Sequence, residues 1–73
     1  MSHTIGSRIQ LARLKNGQSR EHIAAACGVT AATVKNWENE ETSPHLSHAE
    51  PLCNVLGISP SMLILGREKG ARS

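Results

Sequence analysis

Residues 20–39 read R-E-H-I-A-A-A-C-G-V-T-A-A-T-V-K-N-W-E-N and decide the fold. They contain two short runs of helix-forming residues, separated by Gly28, Val29 and Thr30. Gly28 permits a positive backbone φ at the turn, and Ala24 is small enough to let the two helices cross closely. A small residue, a glycine and an apolar residue at these offsets are typical of a helix-turn-helix.

Signals for helix ends recur along the rest of the chain. A glycine follows each of four runs of helix formers, where a left-handed backbone suits a helix end; these are Gly17, Gly28, Gly57 and Gly66. Capping residues precede the runs, and these are Thr4, Ser19, Thr30, Ser47 and Ser59. No alternating strand pattern is present. The sequence therefore predicts an all-α fold with helices over residues 5–16, 20–27, 31–38, 47–56 and 60–65.

The predicted core is aliphatic, because Trp37 is the only aromatic residue of the chain. Helical spacing indicates which residues face inward, and these are Ile5, Ile9, Ala12, Leu14, Ile23, Ala24, Cys27, Val34, Trp37, Ala49, Leu52, Val55, Leu56, Met62, Leu63 and Leu65. Cys27 and Cys53 lie in apolar settings and are expected to be reduced thiols in the core. Leu11 is expected to be exposed.

The length of 73 residues limits the chain to one small domain without a deep substrate cavity. We expect that domain over residues 5–65, between a flexible N-terminus at residues 1–4 and a flexible basic tail at residues 66–73. No apolar run approaches the roughly 18 residues of a membrane span. The first residues lack the pattern of a signal peptide, so the sequence predicts a cytoplasmic protein that does not contact membranes.

The net charge of +2 is unevenly distributed. Residues 1–37 carry five basic residues and one acidic residue, whereas residues 38–50 carry four acidic residues and no Lys or Arg. A basic N-terminal half can attract a polyanion, although an ordinary charged surface would show a similar scatter. Arg8, Arg20 and Lys35 are candidate phosphate contacts, with a role in solubility as the alternative for each.

Side chains near residue 30 suit the major groove of DNA. Asn36 carries both a donor and an acceptor and can pair bidentately with adenine. The hydroxyls of Thr30 and Thr33 can bind phosphates or base edges. Ala31 and Ala32 can only contact a thymine methyl or let the backbone approach, which leaves more of the specificity to DNA shape. Ala31, Ala32 and Asn36 could instead be ordinary exposed positions of a helix.

The chain resembles the Cro/phage-repressor (XRE-like) family of helix-turn-helix DNA-binding regulators over about residues 5–65. The matching features are Ile9-x3-Arg13, Gly17, Ile23-Ala24, Gly28-Val29-Thr30, Val34, Trp37-Glu38, Pro44 and Leu56-Gly57-Ile58-Ser59. The resemblance implies a compact five-helix bundle of the lambda-repressor-like type, in which the second and third helices form the helix-turn-helix. Residues 30–38 would be the recognition helix in the major groove.

The resemblance also implies roles for individual residues. The base-reading positions fall at Ala31, Ala32 and Asn36, with Thr33 beside them. The phosphate-contacting position falls at Arg20, which stands where the family usually has glutamine. Thr30, Lys35 and Arg8 are further candidates for phosphate contacts on their own chemistry. An ion pair between the first and third helices falls at Arg13 and Glu38. The homodimer interface near the fifth helix falls at Ser59, Met62 and Leu63.

These features predict a sequence-specific regulator of transcription, a repressor that binds a palindromic double-stranded operator as a homodimer, without catalysis, cofactor or metal. Residues 39–43, N-E-E-T-S, depart from the glycine and basic residues common in the family, and carboxylates there would repel DNA. A protein-interaction module, such as an antitoxin or co-regulator with weak DNA binding, is therefore the alternative. Zinc at His45, His48 and Cys53 is a weaker one, because structural zinc takes four ligands.

Overall fold

The computed structural model describes residues 4–66, which form five α-helices and one 3-10 turn. The elements in chain order are α1 (Ile5–Lys15), α2 (Arg20–Cys27), α3 (Ala31–Glu38), a 3-10 turn (Leu46–His48), α4 (Ala49–Leu56) and α5 (Pro60–Leu65). The prediction of an all-α, five-helix fold is confirmed. No helix within residues 4–66 has the length and apolar character needed to cross a membrane.

Local chemistry sets most of the helix boundaries. The side chains of four predicted cap residues each accept a hydrogen bond from a backbone N–H in the first turn, and these are Thr4, Ser19, Thr30 and Ser59. The predicted start of the fourth helix is wrong, because Ser47 lies inside the 3-10 turn and α4 begins at Ala49. Pro51 still lies in the first turn of α4, where its missing N–H leaves no hydrogen bond unmade.

The sequence predicts flexible ends at residues 1–4 and 66–73. Thr4 caps α1, and Gly66 ends α5 with a φ of 77°, so both belong to the folded unit. The predictions for residues 1–3 and 67–73 lie outside the described residues.

One continuous core joins the helices. Its buried members are Ile9, Ile23, Ala24, Cys27, Val34, Trp37, Leu52, Cys53, Leu56 and Leu63. Leu14 and Leu65 were predicted to face this core, but they are 58% and 59% exposed. Arg13 occupies the inward position on α1 next to Leu14, and Leu65 lies two residues beyond the buried Leu63, which turns it to the opposite side of α5.

Two polar side chains between α1 and α2 tie this turn to the end of α4. The amide of Asn16 donates to the carbonyl oxygen of Leu56 at 2.9 Å, and the amide of Gln18 donates to that of Val55 at 2.8 Å. These carbonyls lie in the last turn of α4, where helical partners run out. The bond to Val55 gives the polar side chain at position 18 a partner inside the fold.

Gly6 lies where α1 packs against the end of α3. A Cβ atom at this position would overlap the carbonyl oxygen of Trp37 and the carboxylate of Glu40. The first of these atoms belongs to the backbone and cannot rotate away. The absence of a side chain at residue 6 is therefore what allows the two helices to approach.

We expect Gly6→Ala to lower the free energy of unfolding by about 1–3 kcal/mol, the usual range for overpacking. This would occur even though alanine favours a helix over glycine by about 1 kcal/mol. Urea denaturation followed by Trp37 fluorescence measures the change. Lys15→Ala, at an exposed position of the same helix, is the control and should stay within about 0.5 kcal/mol of the parent protein. A more stable Gly6→Ala protein would contradict the packing argument.

Candidate nucleic-acid interface

The turn between α2 and α3 fixes the direction of α3. Gly28 adopts a left-handed backbone with φ 72° and ψ 31°, and the N–H of Val29 donates to the carbonyl of Ala24 at 3.0 Å. Ile23 and Ala24 are buried, and Val29 packs against the core. These contacts produce the helix-turn-helix predicted from residues 20–39.

One face of α3 is buried against the other helices, and the opposite face is accessible to solvent. Val34, Trp37 and Glu38 are buried against the bundle. Ala32 and Asn36, one turn apart, lie on the opposite side of the helix, and Ala32 and Lys35 are exposed. The remaining predicted base contacts are partly exposed, and these are Ala31, Thr33 and Asn36. A helix held this way can enter a groove without moving the core.

Thr30, at the start of α3, caps the helix through Thr33. The hydroxyl of Thr30 accepts a hydrogen bond from the N–H of Thr33 at 3.2 Å and lies 3.0 Å from the hydroxyl of Thr33. A hydroxyl has one donor and two acceptor sites, so capping leaves capacity for a further bond. Thr30 is exposed and can offer that bond outward.

A buried carboxylate joins three helices near this face. Glu38 Oε2 lies 2.6 Å from Arg13 Nε, and Glu38 Oε1 lies 3.2 Å from Arg13 Nη2 and 3.0 Å from Arg20 Nε. The structure thus places Arg13 and Glu38 together, as the resemblance implied. The contact of Arg20 with Glu38 has no signal in the sequence, because it depends on how α2 crosses α3.

Arg8 has a different position from the one expected of a phosphate contact. Its Nη1 donates to the carbonyl oxygens of Leu63 and Ile64 at 2.7 and 3.1 Å. The guanidinium therefore lies at the end of α5, where carbonyl groups lack helical partners and carry partial negative charge. Arg8, although predicted to contact phosphate, therefore binds the C-terminal end of α5.

The acidic segment after α3 folds partly back onto α1. Glu40 has a φ of 66°, in the left-handed region. Glycine, which the family commonly has in this segment, adopts that region without strain. The carboxylate of Glu40 accepts a hydrogen bond from the hydroxyl of Thr4, at the start of α1. This contact lies at the positive end of α1, which favours a carboxylate. It stabilises Glu40 in a backbone conformation that is otherwise unfavourable for a residue other than glycine. Both glutamates are exposed, but the carboxylate of Glu40 is bound to α1 through Thr4.

The predicted homodimer residues need one correction. Leu63 is 1% exposed, which leaves it no surface to offer a second copy. Ser59 caps α5 and, like Met62, is partly exposed. The large apolar residues exposed in this region are Leu46, Ile64 and Leu65. A groove of about 190 Å³ runs beside them, lined by Ile5, Pro44, His45, Leu46, Ala49, Leu63 and Ile64.

The histidines and cysteines between residues 4 and 66 form no recognisable metal centre. Within residues 4–66, no group of three or more His, Cys, Asp or Glu side chains is placed to hold a metal ion. The ring of His48 packs beside Trp37, with centroids 5.6 Å apart, and His45 pairs with Ser47. Cys27 and Cys53 are buried and free, and burial raises the pKa of both thiols.

This chain is similar to known helix-turn-helix proteins in sequence and in structure. The helix-turn-helix family profile matches residues 9–63. The P22 c2 repressor, solved in complex with a synthetic operator, superposes with a TM-score of 0.85 at 27% identity, covering 90% of this chain and 100% of that one. The N-terminal DNA-binding domain of SinR from Bacillus subtilis gives 0.75 at 28% identity, with 96% and 100% covered.

The restriction-modification controller protein C.AhdI from Aeromonas hydrophila gives a TM-score of 0.75 at 27% identity, covering 82% of this chain and 91% of that one. A search of curated proteins found no match. The fold similarity thus extends over nearly the whole length of three solved chains.

Proposed function

Because this chain belongs to the XRE-type helix-turn-helix family and has the fold of DNA-binding transcriptional regulators, we propose that it is a repressor binding a palindromic operator as a homodimer. The observation that carries the proposal is the open outer face of α3 on a helix whose inner face is locked into the core. The P22 c2 repressor, which shares this fold, was solved on an operator.

In this proposal α3 lies in the major groove. Asn36 reads a base edge by hydrogen bonds, and Ala31, Ala32 and Thr33 contact bases at short range. The alanines restrict direct reading to methyl contacts, so DNA shape contributes to operator choice.

Backbone phosphates are bound by Arg20, Thr30 and Lys35. Arg20 opens α2 and Thr30 caps α3, so both lie at helix starts, where backbone N–H groups and partial positive charge favour an anion. Lys35 is exposed on α3 and adds a positive charge beside the base-reading residues. Arg8 is left out, because its guanidinium is bound to the end of α5.

Selection of bound sequences from a random duplex pool, followed by a salt titration of the best binder, tests the proposal. We expect enrichment of a sequence with two-fold symmetry and an affinity that falls steeply with salt, because each neutralised phosphate adds about 0.9 to the log-log slope. A protein that binds no duplex DNA even at low salt would be an interaction module instead, and the regulator proposal would be wrong.

Asn36→Ala should reduce discrimination at one base pair of each half-site by about 1–3 kcal/mol, the usual value of a bidentate contact. Affinity for random duplex DNA should change little, since the phosphate contacts remain. Competition binding against operators with single substitutions measures the effect. Asn54→Ala, an exposed asparagine on α4, is the matched control and should change neither quantity. Equal losses on operator and random DNA would remove Asn36 from the base-reading set.

A further inference from the structure

We infer that Glu38 is a positioning residue for DNA binding: its buried carboxylate holds the side chain of Arg20 in place for a backbone phosphate before DNA arrives. The inference rests on the proposed function, and in particular on a phosphate contact by Arg20. It gives the carboxylate a second role, separate from its pairing with Arg13.

The charges of the cluster support this role. One carboxylate faces two guanidinium groups, which leaves one positive charge in excess. The side chain of Glu38 is 0% exposed and that of Arg13 is 10% exposed, whereas that of Arg20 is 35% exposed. Since only Arg20 reaches the surface to this extent, it is the member of the cluster that can offer the excess charge to an anion.

The hydrogen bonds leave the other end of Arg20 available. Its contact with Glu38 uses Nε, at 3.0 Å from Oε1. A guanidinium has five N–H donors in a planar fork, and within residues 4–66 the structure gives Arg20 no second hydrogen-bonding partner. The terminal amino groups can therefore bind two oxygens of one phosphate while Nε stays on Glu38.

The position of Glu38 in the chain lets its contact with Arg20 fix the phosphate-binding side chain relative to the base-reading helix. Glu38 is the last residue of α3, and Arg20 is the first of α2. The shared carboxylate thus links the base-reading helix to the phosphate-binding arginine. A side chain already held in its bound geometry also loses less conformational freedom on binding, which strengthens the complex.

Three variants, measured by salt titration on random duplex DNA, test the inference. Arg20→Gln should reduce the log-log salt slope by about 0.9, one phosphate contact. Arg20→Lys keeps the charge but lacks the planar fork, so the slope should stay while affinity falls about threefold to tenfold. Lys15→Arg, an exchange of cations at an exposed position of α1 outside the proposed DNA contacts, is the control and should remain within about twofold.

Glu38→Gln separates positioning from charge. It makes the protein one unit more positive, so an effect of charge alone would tighten DNA binding. Positioning predicts that affinity falls about threefold to tenfold, as in Arg20→Lys, and that the fall disappears when Arg20 is already glutamine. Trp37 fluorescence checks that the variant is folded. If it is not, the comparison of Arg20→Lys with Lys15→Arg decides.

The inference is overturned if Arg20→Lys binds like the parent protein, or if folded Glu38→Gln binds more tightly. Both results would leave the regulator proposal intact, because the parent protein still binds DNA. Failure of the parent protein to bind any duplex at low salt would overturn the proposed function and the inference together.

Discussion

Glu38→Leu should lower the free energy of unfolding by about 3–5 kcal/mol, the cost of leaving a buried charge without its partner. Arg13 would be left with the carbonyl oxygen of Gln18 as its remaining partner, at 3.0 Å from Nη1. Arg13→Met should cost less, because Glu38 would keep Arg20. Urea denaturation with Trp37 fluorescence measures each change. Such a loss is large for a small domain, since native proteins have about 5–15 kcal/mol in total.

The double variant Arg13→Met/Glu38→Leu should recover much of this loss, since apolar residues of similar volume often replace a buried ion pair without penalty. Arg20→Met alone serves as the control. Its side chain is partly exposed, so its removal should cost only about 0–1 kcal/mol. Additive losses in the double variant would contradict the account of Glu38 as a carboxylate shared inside the bundle.

The helix boundaries could be predicted because their causes lie within a few residues. Thr30, for example, caps α3 through the N–H of Thr33, and Gly28 ends α2 in a left-handed conformation. Both signals are visible in the sequence. The prediction at Ser47 also rested on a local signal, because the spacing to Glu50 fits a capping box. It is wrong because the backbone forms a 3-10 turn at that point.

Apart from the pair of Arg13 and Glu38, which the resemblance implied, the side-chain contacts that cross the bundle could not be predicted. Arg8 and the carbonyl of Leu63 are 55 positions apart, and Arg20 and Glu38 are 18 positions apart. A basic residue that will cap a distant helix has the same local pattern as one that will face DNA. The division between structural and exposed arginines therefore depends on the packing of helices, which periodicity alone does not specify.

The acidic segment shows how a departure from the family pattern can be accommodated. Glu40 was a reason to doubt DNA binding, because its charge would repel phosphate. In the structure its carboxylate is bound by Thr4 at the positive start of α1, so part of the acidic charge already has a favourable partner. Glu41 has no such contact with α1; it is exposed, lies three residues beyond Glu38, the last buried residue of α3, and donates its N–H to the carbonyl oxygen of Asn36.

Ile64→Glu should abolish the proposed homodimer and reduce operator affinity by about 100-fold to 10,000-fold, the loss expected when two linked binding events become separate. Ile64 is exposed, lines the apolar groove and stands near Leu46, which is 83% exposed. A carboxylate placed in such an interface would be desolvated without a partner. Because Ile64 is exposed within one copy, the fold of the monomer should persist.

Sedimentation with and without DNA measures the oligomeric state, and titration of a palindrome against a single half-site measures the affinities. Two recognition helices about 34 Å apart, one turn of duplex, require the parent protein to occupy both half-sites as a dimer. Half-site affinity should be nearly unchanged in Ile64→Glu, since α3 is untouched. Leu11→Glu, at an exposed leucine of α1 that does not line the groove, is the matched control and should remain dimeric. A parent protein that stays monomeric on the operator would refute the dimer, whereas a dimeric Ile64→Glu would move the interface to another surface.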